Sequence, residues 1–151
     1  MIVREATQKD LLKIKDHGGA FIDRSISSKF VTYDGEGFLF ILKAMIKQGL
    51  ARIWACRTDD GEFAGAICLL ISPNVYNPDE LMGDIYFIDV LPKFQKQGVA
   101  KKMMLTVEKF AKEIGIISLS ISFNSLDIAR RIESGMNYTL TEYKLMKRIK
   151  E

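Results

Sequence analysis

The chain has one histidine, two cysteines and no apolar run long enough to span a bilayer in its 151 residues. Each scarcity removes a class of chemistry. His17 and two separated cysteines make no zinc-binding spacing, so no metal is expected. A nucleophilic triad has only His17 to draw on, and no G-x-S-x-G elbow accompanies it. His17 stands just before Gly18-Gly19, where a histidine suits a helix C-terminus. Cys56 and Cys68 sit in "RIWAC" and "GAICLLIS" and read as small buried hydrophobes in a reducing compartment. No cationic segment with an apolar core opens the chain, so the expectation is cytoplasmic, with no membrane partner. The net charge is only +3, too little to argue for nucleic acid.

What remains is a composition with 48% hydrophobic residues, enough to build one core. No repeat, linker or low-complexity tract divides the chain, so residues 1–151 read as a single domain. "MIVREA" reads as a strand, and Thr7 with Asp10 as a capping box opening a helix that Gly18-Gly19 ends or bends. "FLFILKAMIKQG" has helical spacing and stops at Gly49. "ARIWACRTDDGEFAGAICLLIS" reads as a hairpin turning at Asp60-Gly61. "PNVYNPDELMG" reads as a loop, and "DIYFIDV" as an internal strand. Ala100, Met103, Val107, Phe110, Ala111 and Ile114 form the stripe of a helix ending at Gly115. "IISLSISF" alternates as a strand, "NSLDIARRIESG" is a short helix closed by Gly135, and "MNYTLTEYKLMKRI" is a last strand or a bent pair of strands. That strand could pair within one chain or across two as a homodimer. The order gives an α/β fold with a mixed sheet.

The most informative stretch is "DVLPKFQKQGVAKKMM". A strand reaches Pro92, and a turn containing Gly98 leads straight into the next helix. The first turn of a helix has unpaired N–H groups, and its polarity favours negative charge. A glycine there lets several amides point together at a ligand. Ala100 leaves room over the first turn, while Lys96, Lys101 and Lys102 add positive charge at the rim. The arrangement suits a phosphate or pyrophosphate. It is not a Walker loop, since no G-K-[ST] follows, nor a dinucleotide fingerprint, since one glycine occupies the turn.

Val90, Pro92, Phe94, Gln95, Gly98 and Ala100 resemble the acetyl-CoA-binding signature of the GNAT N-acetyltransferases. In that family a strand ends in Val-x-Pro, followed by an aromatic residue and [Gln/Arg]-x-x-Gly-x-[Gly/Ala]. Asn124 after "IISLSISF" and Gly135 at the end of a short helix extend the resemblance over nearly the whole chain. It implies a mixed, centrally splayed β-sheet flanked by helices, in one acyl-CoA N-acyltransferase domain. It implies acetyl-CoA as cofactor, with the backbone of Gln95, Lys96, Gln97, Gly98, Val99, Ala100 and Lys101 on the pyrophosphate. The pantetheine arm would pair with Ile88 and Val90 beside the splay, and Asn124 would line it. The implied activity is transfer of an acetyl group to a primary amine of a small molecule or peptide, by direct attack on the thioester.

The chain departs from the pattern in the short helix. Many members carry there a tyrosine that protonates the leaving thiolate, four residues before the closing glycine; here it is Arg131. Arginine is a poor general acid but can stabilise a thiolate or bind a coenzyme phosphate. Asp127 and Met136 replace a common alanine and aromatic residue. Tyr138 and Tyr143 are candidate replacements for the acid. Asp84, early in the central strand, matches the position of a base in several relatives, and Tyr86 would orient acceptor or water. Asp84 and Tyr86 share strand parity with Val90, and Asp89 lies on the opposite parity and needs a partner. Asp23, Asp34, Glu36, Asp79 and Glu80 lie in loops that shape the acceptor pocket in the family, and would attract a cationic amine. The alternative is a non-catalytic acyl-CoA-binding regulatory module of the same fold.

Overall fold

The computed structural model describes residues 1–25, 29–123, 126–141 and 149. The elements follow in the order β1 (Ile2–Glu5), α1 (Gln8–Asp23), α2 (Gly35–Lys47), β2 (Ala51–Arg57), β3 (Phe63–Asn74), β4 (Asn77–Val90), α3 (Val99–Glu113), β5 (Ile116–Ile121) and α4 (Leu126–Met136). The strands form one sheet in sequence order. The first three pairings are antiparallel, and β4 with β5 is parallel. This is the mixed sheet read from the sequence, with helices on both faces.

Strand alternation sends side chains to two cores. Trp54, Ile67, Leu69 and Ile85 pack with Met103, Met104 and Val107 of α3. Ile53, Ala66 and Cys68 pack on the other face with Leu11 and Ile14 of α1 and with Leu39 and Leu42 of α2. Each such buried aliphatic side chain is worth roughly 2 kcal/mol. In α3 the buried stripe includes Val99 and Met104, whereas Ala100 is half-buried and Ile114 exposed.

Thr7 caps α1 reciprocally with Asp10 as expected. The helix does not stop at Gly18-Gly19 but runs to Asp23. A Cβ on Gly18 would lie 2.3 Å from the Tyr33 hydroxyl oxygen. That hydroxyl donates to the Lys15 carbonyl at 2.6 Å. The glycine therefore admits the chain entering α2 rather than ending α1. His17 is accordingly inside the helix, its ring stacked on Phe63 at 5.9 Å. Helix α2 begins before the apolar run, because Asp34 accepts from the Gly37 amide at 3.1 Å.

The expected loop at 73–83 is instead paired. Asn74 meets Asn77 across a turn at Val75-Tyr76, and Pro73 meets Leu81. Residues 78–80 thus stand opposite no β3 residue. Strand β2 has already ended its pairing at Leu70, so Pro73 lies where β2 requires no amide from it. Helix α4 continues through Gly135 to Met136, and Asn137 takes the left-handed conformation at φ 57°. Met136 therefore belongs to a helix rather than the expected last strand, and residues 137–141 are irregular. Residues 142–148 lie outside the described residues, and with them most of that strand, Tyr143 and any pairing it would make.

Candidate active site

The sheet opens along β4. Parallel pairing with β5 runs from Leu81↔Ile116 to Ile85↔Ile121, where β5 ends. Strand β4 continues to Val90 with, among the described residues, only β3 beside it. The Leu91 amide donates to the Ala64 carbonyl at 2.9 Å. Alternation along an antiparallel pair then turns the backbone groups of Ile88 and Val90 away from β3, onto the open edge. Gly65 makes the close pairing with β3 feasible, since a Cβ there would lie 2.3 Å from the Asp89 carbonyl oxygen.

The edge leads directly into the glycine turn. A short 3₁₀ turn at Pro92–Phe94 buries Phe94, and the chain then takes two left-handed residues, Lys96 at φ 62° and Gly98 at φ 76°. Gly98 is the N-cap of α3 and supplies no side-chain cap. The first bond into the helix from outside is Lys102 N–H to Gly98 O at 3.0 Å. The amides of Val99, Ala100 and Lys101 therefore have no carbonyl one turn earlier in the helix to receive them. Among the described residues, a Cβ on Gly98 would meet nothing within 4 Å. The mouth of the turn is open.

Some groups are already engaged. The Gln95 amide donates to Pro92 O at 3.3 Å, so that amide is not free for a ligand. The Gln95 side chain donates through Nε2 to Val90 O at 3.1 Å, strapping the turn to the open edge. Gln97 similarly holds Lys93 O at 2.9 Å. Lys96 and Lys101 are exposed at the turn. Lys102 is not a rim residue, because its ammonium is bonded to the Met1 carbonyl.

The faces of β4 differ from simple parity. Ile85 pairs with Leu69 and Phe87 with Cys68, so Tyr86 is an extra residue. This β-bulge puts Tyr86 and Phe87 on the same side. Phe87 contacts Phe21 of α1 at 6.5 Å, Phe38 of α2 at 6.3 Å and the Tyr86 ring at 6.2 Å. Ile88 and Val90 pack with the α3 core. Asp84 pairs with Leu70, which belongs to the α1/α2 core. Asp84 and Tyr86 therefore do not share a face with Val90; they share one with Asp89. The expected parity fails because one inserted residue resets it.

Asp84 accepts a 2.6 Å hydrogen bond from Ser120 of β5. Sequence reasoning missed this serine. Its only signal was the polar alternation of β5, which marks a face but not a partner. Asp89 finds its partner in Arg24, at 2.9 Å, just beyond α1. Burial pushes the Asp89 carboxyl up, and Arg24 pulls it only partly back. Of the loop acids, Asp34 caps α2, Glu36 pairs with Lys15 at 2.7 Å, and Glu80 accepts from Asn74 at 2.9 Å.

Arg131 is exposed on α4. Tyr138 turns its hydroxyl into the interior beside Glu108 of α3, where neither Glu108 Oε1 nor the phenol oxygen has a well-formed hydrogen bond. Burial, and then the Glu108 charge, push the phenol well above its usual range. Asn124 lies outside the described residues. Among the described residues no group of three or more His, Cys, Asp or Glu could hold a metal ion.

No curated protein matches the chain in sequence. Solved structures match its fold. A probable acetyltransferase is 15% identical at a TM-score of 0.78, with 100% of this chain and 99% of that one covered. A transcriptional regulator from Bacillus halodurans C-125 is 16% identical, with 98% and 99% covered at 0.78. Glucosamine-6-phosphate N-acetyltransferase from Arabidopsis thaliana is 16% identical, with 99% and 98% covered at 0.72. The family model for acetyltransferases of the GNAT family matches residues 21–131. That span is most of the chain and contains β4, its bulge, the glycine turn and α3, and the chain therefore belongs to the GNAT acetyltransferase family.

Proposed function

We propose that this chain is an acetyl-CoA-dependent N-acetyltransferase acting on a primary amine. One observation carries the reading: a glycine-capped helix start with uncommitted amides stands at the end of a strand edge that β5 leaves open. The amides of Val99, Ala100 and Lys101 and the positive pole of α3 suit a pyrophosphate. The Ile88 and Val90 backbone suits an extended amide-bearing arm, with one lone pair of the Val90 carbonyl already given to Gln95. These groups fit coenzyme A, which when acetylated supplies an acyl group activated as a thioester.

The chain's own residues then have separate tasks. Lys96 and Lys101 add positive charge beside the turn. The Ile88 amide can donate to an oxygen that becomes negative during transfer. Asp84 would take the proton that an ammonium must lose before it can attack, and Ser120 fixes the orientation of that carboxylate. Tyr86, exposed on the same face as Asp84, would position the acceptor. Arg131 would stabilise sulfur or phosphate by charge alone, since a guanidinium keeps its proton.

The second reading is a regulatory module that binds acyl-CoA without turnover. The observation favouring it is Tyr138, whose hydroxyl is buried against Glu108 rather than presented as an acid. Titration calorimetry with acetyl-CoA tests what the two readings share, and the absence of saturable binding would sink both. Release of free coenzyme A thiol in step with acetylated amine separates them. Saturable binding with no release across a broad panel of amines and peptides would favour the module.

A further inference from the structure

The far half of the β3–β4 ribbon borders the sheet face that carries Asp84. It encloses an open groove of about 260 Å³, lined by Pro73, Asn74, Tyr76, Met82, Asp84 and Ser120 among others. The three unpaired residues 78–80 let one side of the ribbon run longer than the other. Such an excess bends a strand pair, which accounts for Tyr76, at the ribbon tip, lining the same groove as Asp84. The volume lies just below the roughly 300–1,000 Å³ of sites that take drug-sized molecules.

Among the described residues the lining carries a single charged group. The Asp84 carboxylate is held on one oxygen by Ser120 at 2.6 Å. Among the described residues it has no other hydrogen bond or ion pair, so its second oxygen remains available to a donor. The walls beside it are largely apolar. Tyr76 is 97% exposed, and Pro73 and Met82 extend the surface it offers. An aromatic ring so placed gains most by covering a flat or apolar body. Among the described residues no Lys, Arg or His lines the groove. An acidic group on a ligand would face Asp84 with no cation to offset the repulsion.

We propose that this groove is the acceptor site and that it selects a small monocationic primary amine with an aromatic or apolar body and no acidic group. The inference rests on the acetyl-transfer reading and narrows its substrate class. The ammonium donates to Asp84, the body lies against Tyr76 and Met82, and the nitrogen is thereby held where Asp84 can take its proton. Ser120 is a positioning residue that acts through Asp84.

The test uses a matched pair, phenethylamine and L-phenylalanine, which differ only by the carboxylate. Binding of each is measured by calorimetry, with and without saturating coenzyme A, and turnover by thiol release from acetyl-CoA. Phenethylamine is expected to bind saturably and to exceed phenylalanine at least tenfold in affinity and in kcat/KM. Tyr76→Ala should weaken phenethylamine at least fivefold, with acetyl-CoA affinity held within twofold. Asp84→Asn should abolish the preference over phenylalanine. Equal use of the two compounds, no phenethylamine binding in either state, or an unchanged Tyr76→Ala affinity would overturn the proposal. Failure to bind acetyl-CoA would instead sink the parent reading, so the two failures are distinguishable.

Discussion

Single residues set the most exposed claims. Gly98 combines a φ of 76° with open space in front of it. A β-branched side chain there is strained and would occupy the space left for phosphate. Gly98→Val is expected to lower acetyl-CoA affinity at least tenfold by calorimetry, and an affinity within twofold of the parent would count against the cradle. The glycine was readable in the sequence because its neighbours form a motif. The left-handed Lys96 was not, since lysine rarely adopts that conformation and nothing local announces it.

Asp10 is 0% exposed and carries more than its cap. Its carboxylate accepts from Arg57 at 2.5 and 2.9 Å and stands 3.1 Å from Arg4. Burial pushes this carboxyl up, but the Thr7 bonds and Arg57 outweigh it and hold the group below its usual value. A depressed value means that the stabilisation is full above the unfolded value near 3.9 and is lost as pH falls through the folded one. Asp10→Asn should therefore cost about 3 kcal/mol in urea unfolding at neutral pH, with the gap to the parent narrowing in acid. A gap independent of pH would refute the ionic part of this account. The two cysteines have the opposite character. Burial pushes the Cys68 thiol up to about 12 and raises Cys56 as well. A thiol reagent should leave both untouched in the folded protein and titrate both in denaturant, so native thiols will not obscure coenzyme release.

At the scale of elements, identical substitutions have opposite expected signs. Gly18 and Gly135 both lie inside helices, although the sequence suggests a terminator for each. Gly18→Ala would drive a methyl into Tyr33 and should cost about 2 kcal/mol. Gly135→Ala meets nothing within 4 Å among the described residues and should stabilise by about 0.5–1 kcal/mol. Urea midpoints of the two variants moving in the same direction would contradict this. A sequence shows that a glycine is present, but the reason for Gly18 lies in Tyr33, fifteen residues away, and Gly135 has no such neighbour among the described residues. The same limit hid the bulge at Tyr86. Period-two reasoning identified the Asp84–Val90 half of β4 and assigned its faces correctly on either side of the insertion, but not across it. The assignment of Asp84 to the face of Val90 failed on one residue. The prolines of 73–78 likewise signalled a loop, where the missing β2 neighbour lets them stay in a ribbon.

For the molecule as a whole, the fold was largely legible because helix and strand periods alternate cleanly from β1 to α4. The groove at Asp84 was not, because strand pairing brings Ser120 of β5 to Asp84, and the curl of the ribbon brings Tyr76 to both. A ligand that binds the folded chain alone stabilises it by mass action. Acetyl-CoA at a hundred times its dissociation constant should add about 2.7 kcal/mol and raise the thermal midpoint accordingly, and an unmoved midpoint would speak against binding to the native state.

The open edge of β4 has a further consequence. An unpaired strand edge usually invites a second chain and is guarded against aggregation. Here the open edge is short: β5 ends at Ile121, opposite Ile85, and β4 ends at Val90. The five residues 86–90 at about 3.3 Å each leave, among the described residues, roughly 17 Å of unpaired edge. A short chain bearing amides can complete the ladder over that length. On the acetyl-CoA reading, β4 thus lacks a neighbour over those residues, and the arm that supplies one is selected by its length before it is selected by charge.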